Sequence, residues 1–168
     1  LANTIRMEEG DTIVTNHPAF GGSHLPDITL VTPVFTGKGE HLGYVVNRAH
    51  HAELGGTLPA SMPPDASSLE EEGVVIPPCY LVRKGKTDWD GIRRILENAP
   101  YPSRTVEDNL ADLNAAPAAN IAGAEGLKEL ALRYSPETLI DYMVYLREYA
   151  ASRMRQTLSS IPDGHYEA

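Results

Sequence analysis

GGSHLPDITLVTPVF, residues Gly21–Phe35, sets a polar hinge directly against an apolar, β-branched run. The hinge carries His24 and Asp27, and Ile28–Phe35 reads as a strand, because Val, Ile and Thr suit a pleated, half-buried surface. Pro33 lies within it and directs it toward a sheet edge or a bulge, since proline gives the ladder no N–H. Gly37-Lys38-Gly39-Glu40 then reads as a turn and Leu42–His50, LGYVVNRAH, as the return strand. That spacing predicts an antiparallel hairpin.

Outward from the hairpin, the chain has two characters. Residues 1–87 are rich in Gly, Pro and β-branched residues, and residues 88–161 in Ala, Leu, Glu and Arg. Strands first and helices second predict an α+β fold, a single domain over 1–168 with a strand- and loop-rich half and a helical half. Thr12–Thr15 is a further short strand. Residues 55–73 form a long loop, and Val74–Val82 a last strand broken by Pro77-Pro78. Asp88–Asn98 reads as a helix, and Arg104–Tyr134 as a longer one that Pro117 kinks or divides. Ser135-Pro136-Glu137 supplies a hydroxyl N-cap, proline at the first helical position and an early acid. The helix it starts runs to about Ser160 and ends the fold. Its stripe of Leu139, Met143, Leu146, Ala150, Met154 and Leu158 predicts core packing or a subunit interface.

Composition excludes several classes of function. The net charge is −9 and 42% of residues are hydrophobic. A globular, acidic chain has no basic patch with which to bind nucleic acid or an anionic membrane surface. No apolar run approaches the roughly 18–20 residues that span a bilayer, and LANTIRMEEG lacks the pattern of a signal peptide. Cys79 is the only cysteine, so an internal disulfide and a thiolate metal cluster are excluded. A cytoplasmic location fits, with Cys79 as a small buried side chain. The chain begins at Leu1, on what reads as the end of an apolar helix, and turns at Glu9-Gly10-Asp11. An inner piece of a longer polypeptide is therefore expected. No GxxxxGK[ST], GxGxxG or GxSxG is present, so ATP chemistry would belong to another chain or segment.

Chemistry concentrates at the hairpin. His17, His24, His50 and His51 all lie in the strand-rich half beside turns. Folding the hairpin back brings its two ends together. His24 and Asp27 then meet His50, His51 and Glu53. Two imidazoles and a carboxylate suit a divalent ion such as Zn, Mn or Fe, and not Ca. His50 and His51 are adjacent, so within a strand they point to opposite faces; one would ligate while the other orients it or meets substrate. Gly21-Gly22 and Gly55-Gly56 either admit close approach of a ligand or serve as tight turns. Glu70-Glu71-Glu72 is a solvated run.

Several motifs in order, GDTIVTNHPAFGGSHLPDITLVTPVF, NRAHHAELGG, ASMPPD, EEGVVIPP, LADLNAAPAAN and RYSPETLIDYM, resemble the hydantoinase B/5-oxoprolinase family over nearly the whole chain. The carboxylating subunits of acetone and acetophenone carboxylases are in the same group. The resemblance implies an inner fragment of a larger subunit in an ATP-coupled cyclic amide hydrolase, of N-methylhydantoinase or 5-oxoprolinase type. It also implies a hydantoinase A-type partner subunit or domain that binds ATP, in a homo- or hetero-oligomer. The family's HxxD maps onto His24 and Asp27, and its RAHH onto Arg48, Ala49, His50 and His51. Relatives commonly carry NDP at Asn16-His17-Pro18 and Asp at Glu53. A further acidic ligand would lie before Leu1, which would leave the isolated fragment inactive.

The chemistry this resemblance implies is hydrolysis of a ring amide activated by phosphorylation. His24, Asp27 and His50 or His51 would hold the ion, and Glu53 or His51 would act as general base. Arg48 would contact a phosphate or carboxylate, or else brace the strand end. Two alternatives remain: a non-catalytic domain that docks the A component, and a subunit of an acetone-type carboxylase.

Overall fold

Gly21–Phe35 forms one turn and one strand, and the sheet is built around that strand. A computed structural model describes residues 5–59 and 62–164. The helix end expected at the start of the chain falls in part on residues 1–4, outside the described residues. The elements are β1 (Thr12–Thr15), a 3-10 turn (Pro18–Phe20), β2 (Asp27–Phe35), β3 (His41–His50), α1 (Leu69–Glu72), β4 (Cys79–Arg83), β5 (Lys86–Thr87), α2 (Trp89–Glu97), α3 (Val106–Tyr134) and α4 (Pro136–Leu158). The fold is α+β, a five-stranded antiparallel sheet in the order β3-β2-β1-β4-β5 followed by helices.

The predicted hairpin is β2–β3, closed by the Thr36 N–H donating to the Glu40 carbonyl at 2.8 Å. β2 is an interior strand, not an edge, and Pro33 is tolerated there for a local reason. β1 pairs with β2 only at Thr29–Val31, so at Pro33 only β3 lies alongside. A register shift follows at Val34/Phe35. The prolines at 77 and 78 delay β4 until Cys79, and β5 was not foreseen from the sequence.

Strand alternation gives the sheet two unlike faces. One carries Val14, Ile28, Leu30 and Leu81 into a core with Leu54, Val74, Ile76, Ile92, Leu96 and Leu113. Each such side chain stabilises the fold by roughly 1.5–3 kcal/mol. α2 enters this core with Ile92 and Leu96, one turn apart, and is capped by Asp88 Oδ1, which accepts from the Gly91 N–H at 2.8 Å. α3 docks on the hairpin through Asn120 Nδ2, which donates to Thr32 Oγ1 at 2.9 Å. Asn47 Nδ2 likewise donates to the Ala116 carbonyl at 2.6 Å. Pro117 gives the Leu113 carbonyl no N–H, yet α3 runs through it undivided. The opposite sheet face leaves Tyr44 and Val46 exposed.

The chain forms two compact units, residues 1–128 and 129–168, with the boundary inside α3. The second unit contains α4, where Ser135 Oγ accepts from the Thr138 N–H at 3.3 Å as the expected N-cap. Among the described residues, Leu139 and Met143 of the α4 stripe are half-buried, and Leu146, Met154 and Leu158 are exposed. No helix among the described residues is long and apolar enough to cross a membrane. Cys79 is half-buried, and its thiol is pushed up to about 11, first by burial and then by Asp88.

Candidate metal centre

The register of the hairpin sets Asp27 directly opposite His50 and Thr29 opposite Arg48. All four residues share the sheet face turned away from the core. His50 Nδ1 lies 3.0 Å from Asp27 Oδ1. His24 comes from the preceding turn, its Nε2 3.2 Å from Asp27 Oδ2. The two imidazole rings are 4.8 Å apart. His24, Asp27 and His50 each offer a ligand atom, all within 4.8 Å of one another. The His50 side chain is 52% exposed and Asp27 only 14%, so the carboxylate forms the floor and the imidazoles the rim.

The turn that delivers His24 is anchored from below. Asn16 is fully buried at the end of β1; its Nδ2 donates to the carbonyls of Leu25 and Val74, each at 2.8 Å, and its Oδ1 accepts from the Ile76 N–H at 2.7 Å. Gly22 packs so closely over this strand end that a Cβ would come within 2.4 Å of the Asn16 carbonyl oxygen. His17 is held locally, its Nδ1 accepting from the Ala19 N–H at 3.1 Å.

Ser23 and Arg48 surround Asp27. Ser23 Oγ donates to Asp27 Oδ2 at 2.6 Å. Arg48 Nε donates to Thr29 Oγ1 at 2.9 Å and Nη1 to Ser23 Oγ at 3.3 Å, and Nη2 donates to the Gly21 carbonyl. The Ser23 hydroxyl, more than any other group, holds the Asp27 carboxyl below the usual carboxylate range; burial opposes this, and His50 and His24 reinforce it.

His51 and Glu53, expected in the same site, lie in a different network. His51 is buried at 2% exposure, with Nδ1 2.8 Å from Asn109 Oδ1 on α3. It therefore does not join the cluster formed by its neighbour His50. Alternation along the strand separates the two. Glu53 Oε1 accepts from the Gly55 N–H and from Arg104 Nη1, and Oε2 from Ser103 Oγ and the Arg104 N–H. Asn109 Nδ2 closes the network on the Glu53 carbonyl at 2.8 Å and on Ser103 Oγ at 2.9 Å. Burial raises the Glu53 pKa, but these hydrogen bonds outweigh it and hold the carboxyl below its ordinary value. Sequence reasoning missed Ser23, Asn109, Ser103 and Arg104. Ser23 had one usable signal, a hydroxyl four residues before a candidate ligand at a glycine turn.

The donor set fits a divalent ion of the Zn, Mn or Fe type. Three protein ligands leave coordination positions open. His24 turns Nε2 toward Asp27, and its Nδ1 is buried without a hydrogen-bond partner among the described residues.

The chain matches the hydantoinase B/oxoprolinase family over residues 1–168. It is 43% identical over 166 residues to 5-oxoprolinase 1 of Arabidopsis thaliana, a match covering 92% of this chain and 13% of that protein. It is 37% identical over 160 residues to caprolactamase subunit beta of Pseudomonas jessenii, covering 95% of this chain and 27% of that one. The crystal structure of the ATP-dependent caprolactamase from the same organism superposes with a TM-score of 0.73 at 33% identity, again over 95% of this chain and 27% of the other. The chain thus spans about an eighth to a quarter of the length of these relatives. On the match over its full length and these identities, the chain belongs to the hydantoinase B/oxoprolinase family.

Proposed function

We infer that the chain is part of an ATP-coupled cyclic amide hydrolase and contributes the metal centre at which the ring amide is opened. One observation carries this reading: His24, Asp27 and His50 converge on an open sheet face in a chain of this family. A divalent ion of the Zn, Mn or Fe type held there would supply Lewis-acid polarisation and a nucleophilic water at neutral pH. The chain's own residues do the rest. Asp27 gives the site its negative charge at the floor, and His24 and His50 flank it with imidazole nitrogens. The exposed rim at His50 admits a small substrate. His51 and Glu53, tied to α3 and to Arg104, hold the end of β3 from behind.

In this reading ATP is bound by a hydantoinase A-type partner subunit or domain, as the resemblance of the sequence motifs implies. The word "subunit" in the caprolactamase name supports an assembly of that kind. The exposed apolar stripe of α4 supports a homo- or hetero-oligomer. A cytoplasmic location is part of this reading, and a single cysteine fits a reducing compartment.

The test uses the full-length protein with its partner, assayed for ATP-dependent opening of 5-oxoproline, hydantoin and caprolactam. Asp27→Ala and His50→Ala are expected to lower kcat at least 100-fold. Undiminished ring opening in both variants would refute the metal reading. A supporting scaffold would then remain. Product formed only with bicarbonate and a ketone would instead assign carboxylation.

A further inference from the structure

We propose that Ser23 and Arg48 are positioning residues of the metal centre, with Arg48 locking the Gly21–Ser23 turn onto β2 so that Ser23 fixes the Asp27 carboxylate. The inference rests on the metal reading above and extends it to two residues that do not touch the ion.

Three features of the geometry carry it. First, all three guanidinium nitrogens of Arg48 bond within the chain: Nε to Thr29, Nη1 to Ser23 and Nη2 to the Gly21 carbonyl. The guanidinium is thus aimed into the turn, not toward a substrate. Second, its partner Thr29 is 6% exposed and lies opposite it across the ladder, so the brace stands on the rigid sheet. Third, the 2.6 Å bond from Ser23 falls on Asp27 Oδ2, while His50 takes Oδ1. A carboxylate gripped at both oxygens cannot rotate freely about its Cβ–Cγ bond. A group that fixes a ligating carboxylate in this way tunes metal affinity, typically by 10–100-fold.

The sign of the Arg48 effect separates this role from a plain charge effect. A cationic side chain near a divalent ion repels it, so if charge alone acted, removing Arg48 would tighten binding. If Arg48 acts through Ser23, removing it weakens binding.

Co2+ titration of the full-length protein, followed by its visible absorption bands, reads both outcomes. Ser23→Ala is expected to weaken Co2+ binding about 10-fold and shift the bands, with Ser23→Thr within about threefold of wild type. Arg48→Gln is expected to weaken it several-fold. The double variant should be no weaker than Ser23→Ala alone, because the two residues form one relay. Wild-type affinity in Ser23→Ala, or tighter binding in Arg48→Gln, overturns the proposal while loss of binding in Asp27→Ala still upholds the metal centre. Absence of Co2+ binding by the wild type overturns the metal reading and this inference with it.

Discussion

His50 and His51 are adjacent in the chain and serve opposite faces of it: His50 lies 3.0 Å from Asp27 on the open face, and His51 2.8 Å from Asn109 beneath it. Their replacements should therefore separate cleanly. His51→Ala removes a buried ring and strands the Asn109 amide oxygen, and is expected to cost about 2–4 kcal/mol of stability. His50→Ala removes an exposed ring and should cost under about 1 kcal/mol while abolishing Co2+ binding. Urea denaturation and Co2+ titration of the two variants check this. Equal destabilisation by both would refute the division of labour.

Gly21 and Gly22 are both required, for different physical reasons. Gly21 sits at φ +95° with open space around it, so alanine there meets only the left-handed penalty of about 1–2 kcal/mol. Gly22 has no room, since its Cβ would collide with the Asn16 carbonyl. Gly22→Ala is therefore expected to cost more than Gly21→Ala, about 2–3 kcal/mol, and to displace the turn that carries Ser23 and His24. Thermal unfolding ranks the two. The reverse order would mean that the turn is free to shift away from β1.

The hairpin was legible because a glycine-rich turn lies midway between two β-branched runs. That symmetry alone brings Asp27 to His50. The choice between His50 and His51 was not made from the sequence, because a period of two separates the pair but the pairing partner decides which face is which. The interior position of β2 was hidden as well. Pro33 argues for an edge, and only the short reach of β1 explains its tolerance. Asn109 was out of reach altogether: it arrives from α3, 58 residues after His51, and nothing near either residue announces the contact. The α4 stripe was visible as apolar, but among the described residues nothing covers Leu146, Met154 and Leu158.

Asn16 links three segments through one side chain and should behave as a keystone of the site. Asn16→Ala leaves the carbonyls of Leu25 and Val74 and the Ile76 N–H without their side-chain partner. Buried groups left unpaired cost about 1–3 kcal/mol each, so a loss of about 3 kcal/mol or more is expected. Hydrogen exchange should then quicken at residues 22–27 and 74–76 before the rest of the sheet. Exchange that rises uniformly would show that Asn16 supports the fold globally and not the turn.

Glu53 makes the acid limb of stability testable. Its carboxylate is acceptor-only, and the groups around it donate: Gly55 N–H, Arg104 N–H and Nη1, Ser103 Oγ and, at 3.5 Å, Thr105 Oγ1. These donors hold its folded pKa below the unfolded one despite burial. A depressed carboxyl stabilises the fold above the unfolded value of about 4.3, and that contribution is lost as pH falls through the folded value. Glu53→Gln turns an amide NH2 toward donors and should cost about 2 kcal/mol at pH 7. The gap between wild type and variant should narrow below about pH 4, because the protonated wild-type side chain also forfeits an acceptor. Asp27 is depressed in the same direction, but it is present in both proteins and cancels in the difference. Denaturant midpoints measured from pH 7 to pH 3 decide the matter. A gap that stays constant across that range would mean that the Glu53 network is held by shape and not by charge.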